Sequence, residues 1–299
     1  MNRSNFLKHT ALLSAGTILI PKFIFFQNSP FNELRNGIGT FSMRGGTIGW
    51  LVTDDAIVAI DSQYADTATD FASGISQFGG GSEKVLFNTH HHGDHTAGNK
   101  VLNEDGYQII AHQQVPGLQQ RSAESQESED DQAYAETTFD ESYELDLGSE
   151  TIIAKHYGPA HTSGDSVIWM QEANIAHMGD LVFNRMYPFI DRNGGASIQN
   201  WITVLESVAE EADSDTLFIF GHGNPDYGVT GDVNDLLHKR DYLSALLDFT
   251  QQQIDKGMSR EEIMETTSLE EFPDRFSPSD FLSLPRNLDA AYNELTEDN

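Results

Sequence analysis

Apolar and polar positions along the chain change period at clear breaks. From Gly45 the run "TIGWLVTDDAIVAIDS" holds two apolar stretches split by Asp54 and Asp55, the pattern of a β-hairpin ending at Asp61. "YADTATDFASGISQF" reads as a helix that stops at Gly79, Gly80 and Gly81. "KVLFNT" is a short buried strand, "TAGNKVLN" can start a helix, and "YQIIAH" is the next strand. Residues 117–139, centred on "RSAESQESEDDQ", lose the pattern and read as a solvated excursion, helical or mobile, without chemistry. β-patterning resumes in "SYELDLGSETIIAKHYG", with a turn at Leu147, Gly148 and Ser149, and continues in "SVIWMQEANIAHMGD", which turns at Glu172, Ala173 and Asn174. Trp201, Val204, Leu205 and Val208 share a helical face, the strand "TLFIFGHG" follows, and residues 233–299 read as helices with no strand between them. Blocks of strands alternate with helices and no internal repeat stands out, so the fold class is α/β.

The amino-terminal segment departs from this pattern. Arg3 and Lys8 precede the apolar stretch "ALLSAGTILIP", which Pro21 and Lys22 interrupt. A short basic region before a short apolar one is an export signal, and the stretch is short for a membrane span of roughly 20 apolar residues. "RSNFLK" is similar to a twin-arginine motif with Ser4 in place of the second arginine. Residues 1–28 therefore read as a degenerate export signal, with an uncleaved anchor as the alternative, and the expected location is periplasmic or secreted.

Charge narrows the partners. Forty-seven acidic residues against 17 basic ones leave a formal charge of -30 on 299 residues, which repels nucleic acid and anionic membrane surfaces. The expected partner is a small-molecule substrate. There are no cysteines, so a transition metal has only histidine and carboxylate ligands available, and a cysteine nucleophile is excluded.

"NTHHHGDHTAGN", residues 88–99, supplies such ligands in quantity. In an extended segment alternate side chains share a side, so His90 and His92 can reach one metal while His91 points away. Gly93 permits a turn after which Asp94 and His95 swing towards a second position. His161 in "GPAHTSGD", Asp180 in "HMGD" and His222 in "FGHGN" each lie at or just past the end of a predicted strand, where loop residues converge over a sheet edge. Together they make a nitrogen and oxygen donor set suited to zinc. Surface or packing roles outweigh ligation for His9, His112, His156 and His238, and packing outweighs a supporting role for His177. Asn184, Arg185 and Tyr187, which follow Asp180, are candidates for lining a substrate pocket.

The order "HHHGDH", "GPAHTSGD", "GD" and "GHG" resembles the metallo-β-lactamase superfamily over about residues 40–230. The resemblance implies an αββα sandwich, placed over residues 31–232, and the helical patterning of residues 233–299 makes them a C-terminal extension packed on it. It implies two zinc ions, with iron or manganese as alternatives. His90, His92 and His161 would hold the first ion, Asp94, His95 and His222 the second, with Asp180 bridging. Asp61 matches a family aspartate that supports the site without ligating. Aspartate at position 180, where some β-lactamases carry cysteine, is similar to glyoxalase II, lactonases and related esterases. The expected function is an exported dinuclear zinc hydrolase of small esters, thioesters, lactones or lactams, in which Asp94 is also the catalytic carboxylate, orienting the nucleophile and passing its proton to the leaving atom. The alternatives are an iron-dependent oxidoreductase on the same scaffold, which would leave His222 without an obvious duty, and a non-catalytic periplasmic binding protein.

Overall fold

The computed structural model describes residues 29–297, so the expected export segment and His9 lie outside the described residues. Seven strands form the first sheet in sequence order: β1 (Phe31–Arg35), β2 (Ile38–Phe41), β3 (Ile48–Val52), β4 (Ala56–Ile60), β5 (Glu83–Asn88), β6 (Gln108–His112) and β7 (Thr137–Phe139). Pairing is antiparallel from β1 to β4 and parallel from β4 to β7. The connections explain the change. Short turns join the first four strands, whereas helices carry the chain back before each later one, as parallel pairing requires. These are α1 (Ala65–Ile75), the pair α2 (Gly93–Thr96) and α3 (Asn99–Glu104), and α4 (Val115–Gln126).

In the second sheet β8 (Ser142–Asp146), β9 (Thr151–Lys155), β10 (Val167–Met170) and β11 (Ile175–His177) are antiparallel neighbours. After α5 (Ile198–Glu211), β13 (Leu217–Ile219) joins parallel to β11 and β15 (Thr230–Gly231) closes the edge. A separate two-residue ribbon pairs β12 (Phe183–Asn184) with β14 (His222–Gly223).

The two-residue period of the strands builds the layers. Val58 and Ile60 on β4, with Val85 and Phe87 on β5, meet Ile152, Ala154, Ile168, Met170 and Ile219 between the sheets. The intervening Ile57, Ala59 and Leu86 face outward onto Phe71 and Ile75 of α1 and Leu102 of α3. On the far side Val167, Trp169, Ala176 and Phe218 pack against Trp201, Val204, Leu205 and Val208 of α5. The result is an αββα sandwich.

Three helices from the tail enlarge the last layer: α6 (Val233–Asp255), α7 (Arg260–Met264) and α8 (Leu284–Glu297). Leu236, Leu243, Ile263 and Leu288 belong to the same buried cluster as Trp201. The tail also finishes α5. Glu294 of α8 accepts from the backbone N–H groups of Ile198 (2.8 Å) and Gln199 (2.9 Å), donors that no earlier turn can satisfy, while Ser197 Oγ accepts from Asn200 N at 3.2 Å. No helix among the described residues is long and apolar enough to cross a membrane.

Two parts of the sequence reading change. Residues 31–41 form β1 and β2 ahead of the expected first hairpin. The charged stretch 117–139 is more than an excursion: Leu118, Gln119 and Ala123 of α4 are buried and Phe139 of β7 enters the intersheet core. Its polar residues cover one face of a helix whose other face packs, and the charge run hides that period.

Candidate metal centre

Five segments past strand ends meet at one edge of the sandwich. β4 delivers Asp61, β5 the segment 88–96, the β9–β10 loop His161, β11 Asp180 and β13 His222. Two close approaches need glycine: a Cβ at Gly46 would collide with the His95 ring, and one at Gly221 with Asp180 Oδ1. Asp61 itself adopts a left-handed backbone, φ 65°, a conformation that aspartate tolerates better than most residues.

The donors form two groups. His90, His92, His161 and Asp180 converge in one, and Asp94, His95 and His222 in the other, while His91, His92 and Asp191 make a further cluster that overlaps the first at His92. Asp180 joins them, with one oxygen turned to each. Its Oδ2 lies 3.8 Å from His90 Nε2 and 3.6 Å from His161 Nε2, while Oδ1 lies 3.1 Å from His95 Nε2 and 3.5 Å from His222 Nε2. Asp94 Oδ2 stands 3.1 Å from His222 Nε2 on the more open side.

Neighbouring groups set the tautomers. Asp61 Oδ2 accepts from His95 Nδ1 (2.7 Å) and from Thr89 Oγ1 (2.8 Å), so the Thr89 hydroxyl oxygen in turn accepts from His90 Nδ1 at 3.0 Å. His161 Nδ1 donates to the Phe189 carbonyl at 2.9 Å, and His92 Nε2 donates to Asp191 Oδ2 at 3.0 Å. The opposite nitrogens then carry lone pairs that face one another: His92 Nδ1 is 3.1 Å from His90 Nε2 and 3.0 Å from His161 Nε2. Lone pairs at that separation repel unless a cation lies among them. The spacing suits ligands about 2.0–2.1 Å from one zinc ion. Asp180 Oδ1 is also buried without a well-formed hydrogen bond, and without a metal the raised imidazoles of His95 and His222 supply the charge that faces it, charge that a bound cation would replace. The residues therefore fit a pair of metal ions.

Electrostatics separate the two groups. Burial, reinforced by neighbouring histidines, holds His90 well below the usual imidazole range and takes His161 down to about 3, so both are neutral donors. For His222 burial acts downward, but the carboxylates of Asp180 and Asp94 outweigh it and push the ring up to about 9. His95 is raised by the same contest. A cation entering the second group near neutrality must displace protons, so its affinity rises with pH.

All seven ligand candidates from the sequence meet here, with Asp61 behind them. Asn184 and Tyr187 are turned elsewhere. Asn184 is buried and donates to the Gly228 carbonyl at 3.1 Å, and Tyr187 packs on Tyr242 with ring centroids 6.0 Å apart. Arg185 pairs with Asp235 and Asp274. Their packing gives no support to a substrate-lining role. His112 and His156 stack on each other at 3.9 Å and join neither group. His177 braces the turn before Asp180, donating to the Thr47 carbonyl and accepting from Gly179 N, both at 3.1 Å.

Asp191 is the residue that sequence reasoning missed. His91 points away from the His90 and His92 donors, as strand alternation requires, and its Nε2 comes 3.5 Å from Asp191 Oδ2. That carboxylate, held well down to about 2 against its burial by His92, thus organises both rings. In "PFIDRNGG" its only local signal is a turn, with Gly194 N donating to Oδ1 at 2.9 Å. Asp191→Ala is expected to weaken metal binding by about 10–100-fold, the usual contribution of a carboxylate behind a ligating histidine. Competition with a chromophoric chelator measures this, and wild-type affinity would count against the role.

A fold and a site of this kind define a hydrolase-like scaffold with a candidate metal-binding cluster. The sequence profile of the metallo-beta-lactamase superfamily matches residues 49–247, and the chain belongs to that superfamily. A "Metallo-beta-lactamase type 2" of Bacillus cereus is 25% identical over 195 residues, covering 64% of this chain and 71% of that protein. Among solved structures, DIM-1 metallo-beta-lactamase is 20% identical with a TM-score of 0.58, covering 72% of this chain and 96% of its own. A double mutant of the sec-alkyl sulfatase PisA1 is 12% identical with a TM-score of 0.69, covering 90% of this chain and 50% of its own. At those identities the likeness is one of fold.

Proposed function

We propose that this chain is a dinuclear metal hydrolase that cleaves small esters, thioesters, lactones or lactams. One observation carries the reading: the two oxygens of Asp180 divide between two complete donor groups. His90, His92 and His161 would hold one ion, Asp94, His95 and His222 the other, with zinc favoured by the nitrogen and oxygen donors and iron or manganese as alternatives. When bound, the pair supplies Lewis-acid polarisation of a carbonyl oxygen and a water acidic enough to ionise near neutrality.

The protein's own groups do the rest. Asp94, the most exposed carboxylate of the set at 26%, orients the attacking water and passes its proton to the leaving atom. Asp61 and Asp191 keep the histidines in the tautomers that present lone pairs inward. No serine or cysteine nucleophile is required. The formal charge of -30 disfavours polyanionic substrates and supports a small-molecule one. His222, in place beside Asp94 and Asp180, supports hydrolysis over mononuclear iron oxidation.

The test is elemental analysis of purified protein, followed by assays of metal-replete protein and His92→Ala against an ester, a thioester, a lactone, a penicillin, a phosphodiester and an alkyl sulfate. About two ions per chain and fastest turnover of a non-lactam carbonyl substrate, lost in the variant, are expected. Faster cleavage of the phosphodiester or the sulfate ester would overturn the substrate class, and no turnover with metal bound would favour a binding protein. We also propose export, on the basic and apolar start of the sequence. Fractionation of cells expressing the full chain should find it outside the cytoplasm, beginning near residues 26–30.

A further inference from the structure

Beside the donor groups, the 188–193 loop and α8 leave a cavity of about 240 Å³ lined by residues that include Phe189, Asp191, Phe281, Arg286 and Asn287. It lies against the first donor group, whose His92 and His161 rings are held by Asp191 and the Phe189 carbonyl. The Phe189 ring lies 5.2 Å from His92 and 6.2 Å from His161, and Phe281 packs on Phe189 at 4.7 Å. Phe281 nevertheless remains 54% exposed. The ring therefore leaves apolar area that a ligand's apolar segment could cover favourably.

The arm that carries Phe281 is braced. Ser279 and Leu282 pair across a tight turn, and Ser277 Oγ donates to both of their carbonyls, at 3.1 and 2.8 Å. α8 is tied to the site loop: Asn287 Nδ2 donates to the Pro188 carbonyl at 2.7 Å while its Oδ1 accepts from Tyr242 at 2.7 Å. Phe281 is thus presented in a set position.

Arg286 adds a second signal. In a chain with 47 acidic residues, Arg44, Arg185, Arg192, Arg240 and Arg260 each hold a carboxylate. Arg35 and Arg275 hold backbone carbonyls instead, while Arg286, like Arg121, is exposed and forms no ion pair among the described residues. It shares the cavity with the two phenylalanines, and a guanidinium is suited to fork onto a carboxylate.

We propose that this cavity is the hydrolase's acyl subsite and takes a substrate with an aromatic or alkyl segment that ends in a carboxylate. Phe189 and Phe281 hold the apolar segment, and Arg286 takes the anionic end. The long-range field of the chain is repulsive to anions but is screened beyond about 8 Å at physiological ionic strength, and the two carboxylates in the cavity wall, Asp191 and Asp289, are already held by His92 and Arg260, which leaves Arg286 to meet the anionic end. Both Phe281 and Arg286 lie beyond the family profile, which ends at residue 247, so the specificity is particular to this tail. The proposal rests on the hydrolase reading and specifies its substrate.

Binding to the metal-replete full chain, measured by calorimetry, tests it with 4-phenylbutyrate, 4-phenylbutan-1-ol and butyrate. 4-Phenylbutyrate is expected to bind about tenfold tighter than either partial mimic, the ring and the charge each contributing. Phe281→Ala should remove the preference over butyrate and Arg286→Gln the preference over the alcohol, with metal content unchanged in both. Wild-type binding in both variants would place the carboxylate on the metals or elsewhere and overturn the subsite, as would no binding of 4-phenylbutyrate at all. Variant-sensitive binding without hydrolysis of any carbonyl compound would instead leave the subsite standing and remove the reaction.

Discussion

Replacing Asp180 with asparagine is expected to remove most metal binding at the second group and most activity while leaving the fold in place. Asparagine keeps the shape of the side chain but deletes the carboxylate charge that, among the described residues, faces both donor groups. Carboxylates behind ligands already contribute about 10–100-fold in metal affinity, so a bridging carboxylate should exceed that. Metal content should fall towards one ion per chain, and kcat should fall by at least about 100-fold.

The same variant has a signature that does not depend on catalysis. With Asp180 present, the His222 pKa is raised to about 9 against burial. A raised imidazole pKa stabilises the folded state fully below the unfolded value of about 6.5, and the contribution is lost as pH rises through the folded pKa. Metal-free wild-type protein should therefore lose stability between about pH 6.5 and 9, and Asp180→Asn should flatten that slope. Thermal melts across this range measure the effect. An unchanged slope together with two retained ions would remove Asp180 from the bridging position.

The second large effect is expected from Trp201→Ala, at about 3–5 kcal/mol of lost stability. Trp201 is fully buried, and its Nε1–H donates to the Leu181 carbonyl at 3.0 Å. One side of the ring faces His161 with centroids 5.5 Å apart, and Lys239 Nζ lies 4.5 Å from its centroid. Lys239 is itself buried without a hydrogen-bond partner, and burial holds its amine well below the lysine range. Removing the indole leaves a void beside that amine, an orphaned carbonyl, and no backing for a histidine donor. Denaturant unfolding should show the loss. Trp201→Phe, which keeps most of the apolar area but not the hydrogen bond, should cost only about 1 kcal/mol beyond the lost volume. A loss below about 1 kcal/mol in the alanine variant would mean that α5 does not pack as described.

Much of the site was legible because its ligands are short-range in sequence or sit in motifs at strand ends. Strand alternation in 88–92 separates His90 and His92 from His91, and each remaining donor follows a run of β-branched or other apolar residues. The layers were legible through the family resemblance alone: β4 and most of β5 are apolar on both faces, and only packing assigns one face to the intersheet core and the other to α1 and α3. Tertiary structure alone decided what depends on residues far apart in sequence. Asp191 reaches His92 across 99 positions, and Glu294 caps α5 from 96 positions away. Neither aspartate nor glutamate carries a local pattern that distinguishes these tasks from solvation. Phe281 likewise reads as an ordinary loop residue until α8 docks and sets it against Phe189. Periodicity is a property of the backbone and is written along the chain, whereas partnership between distant side chains is a property of packing and appears only when the layers close.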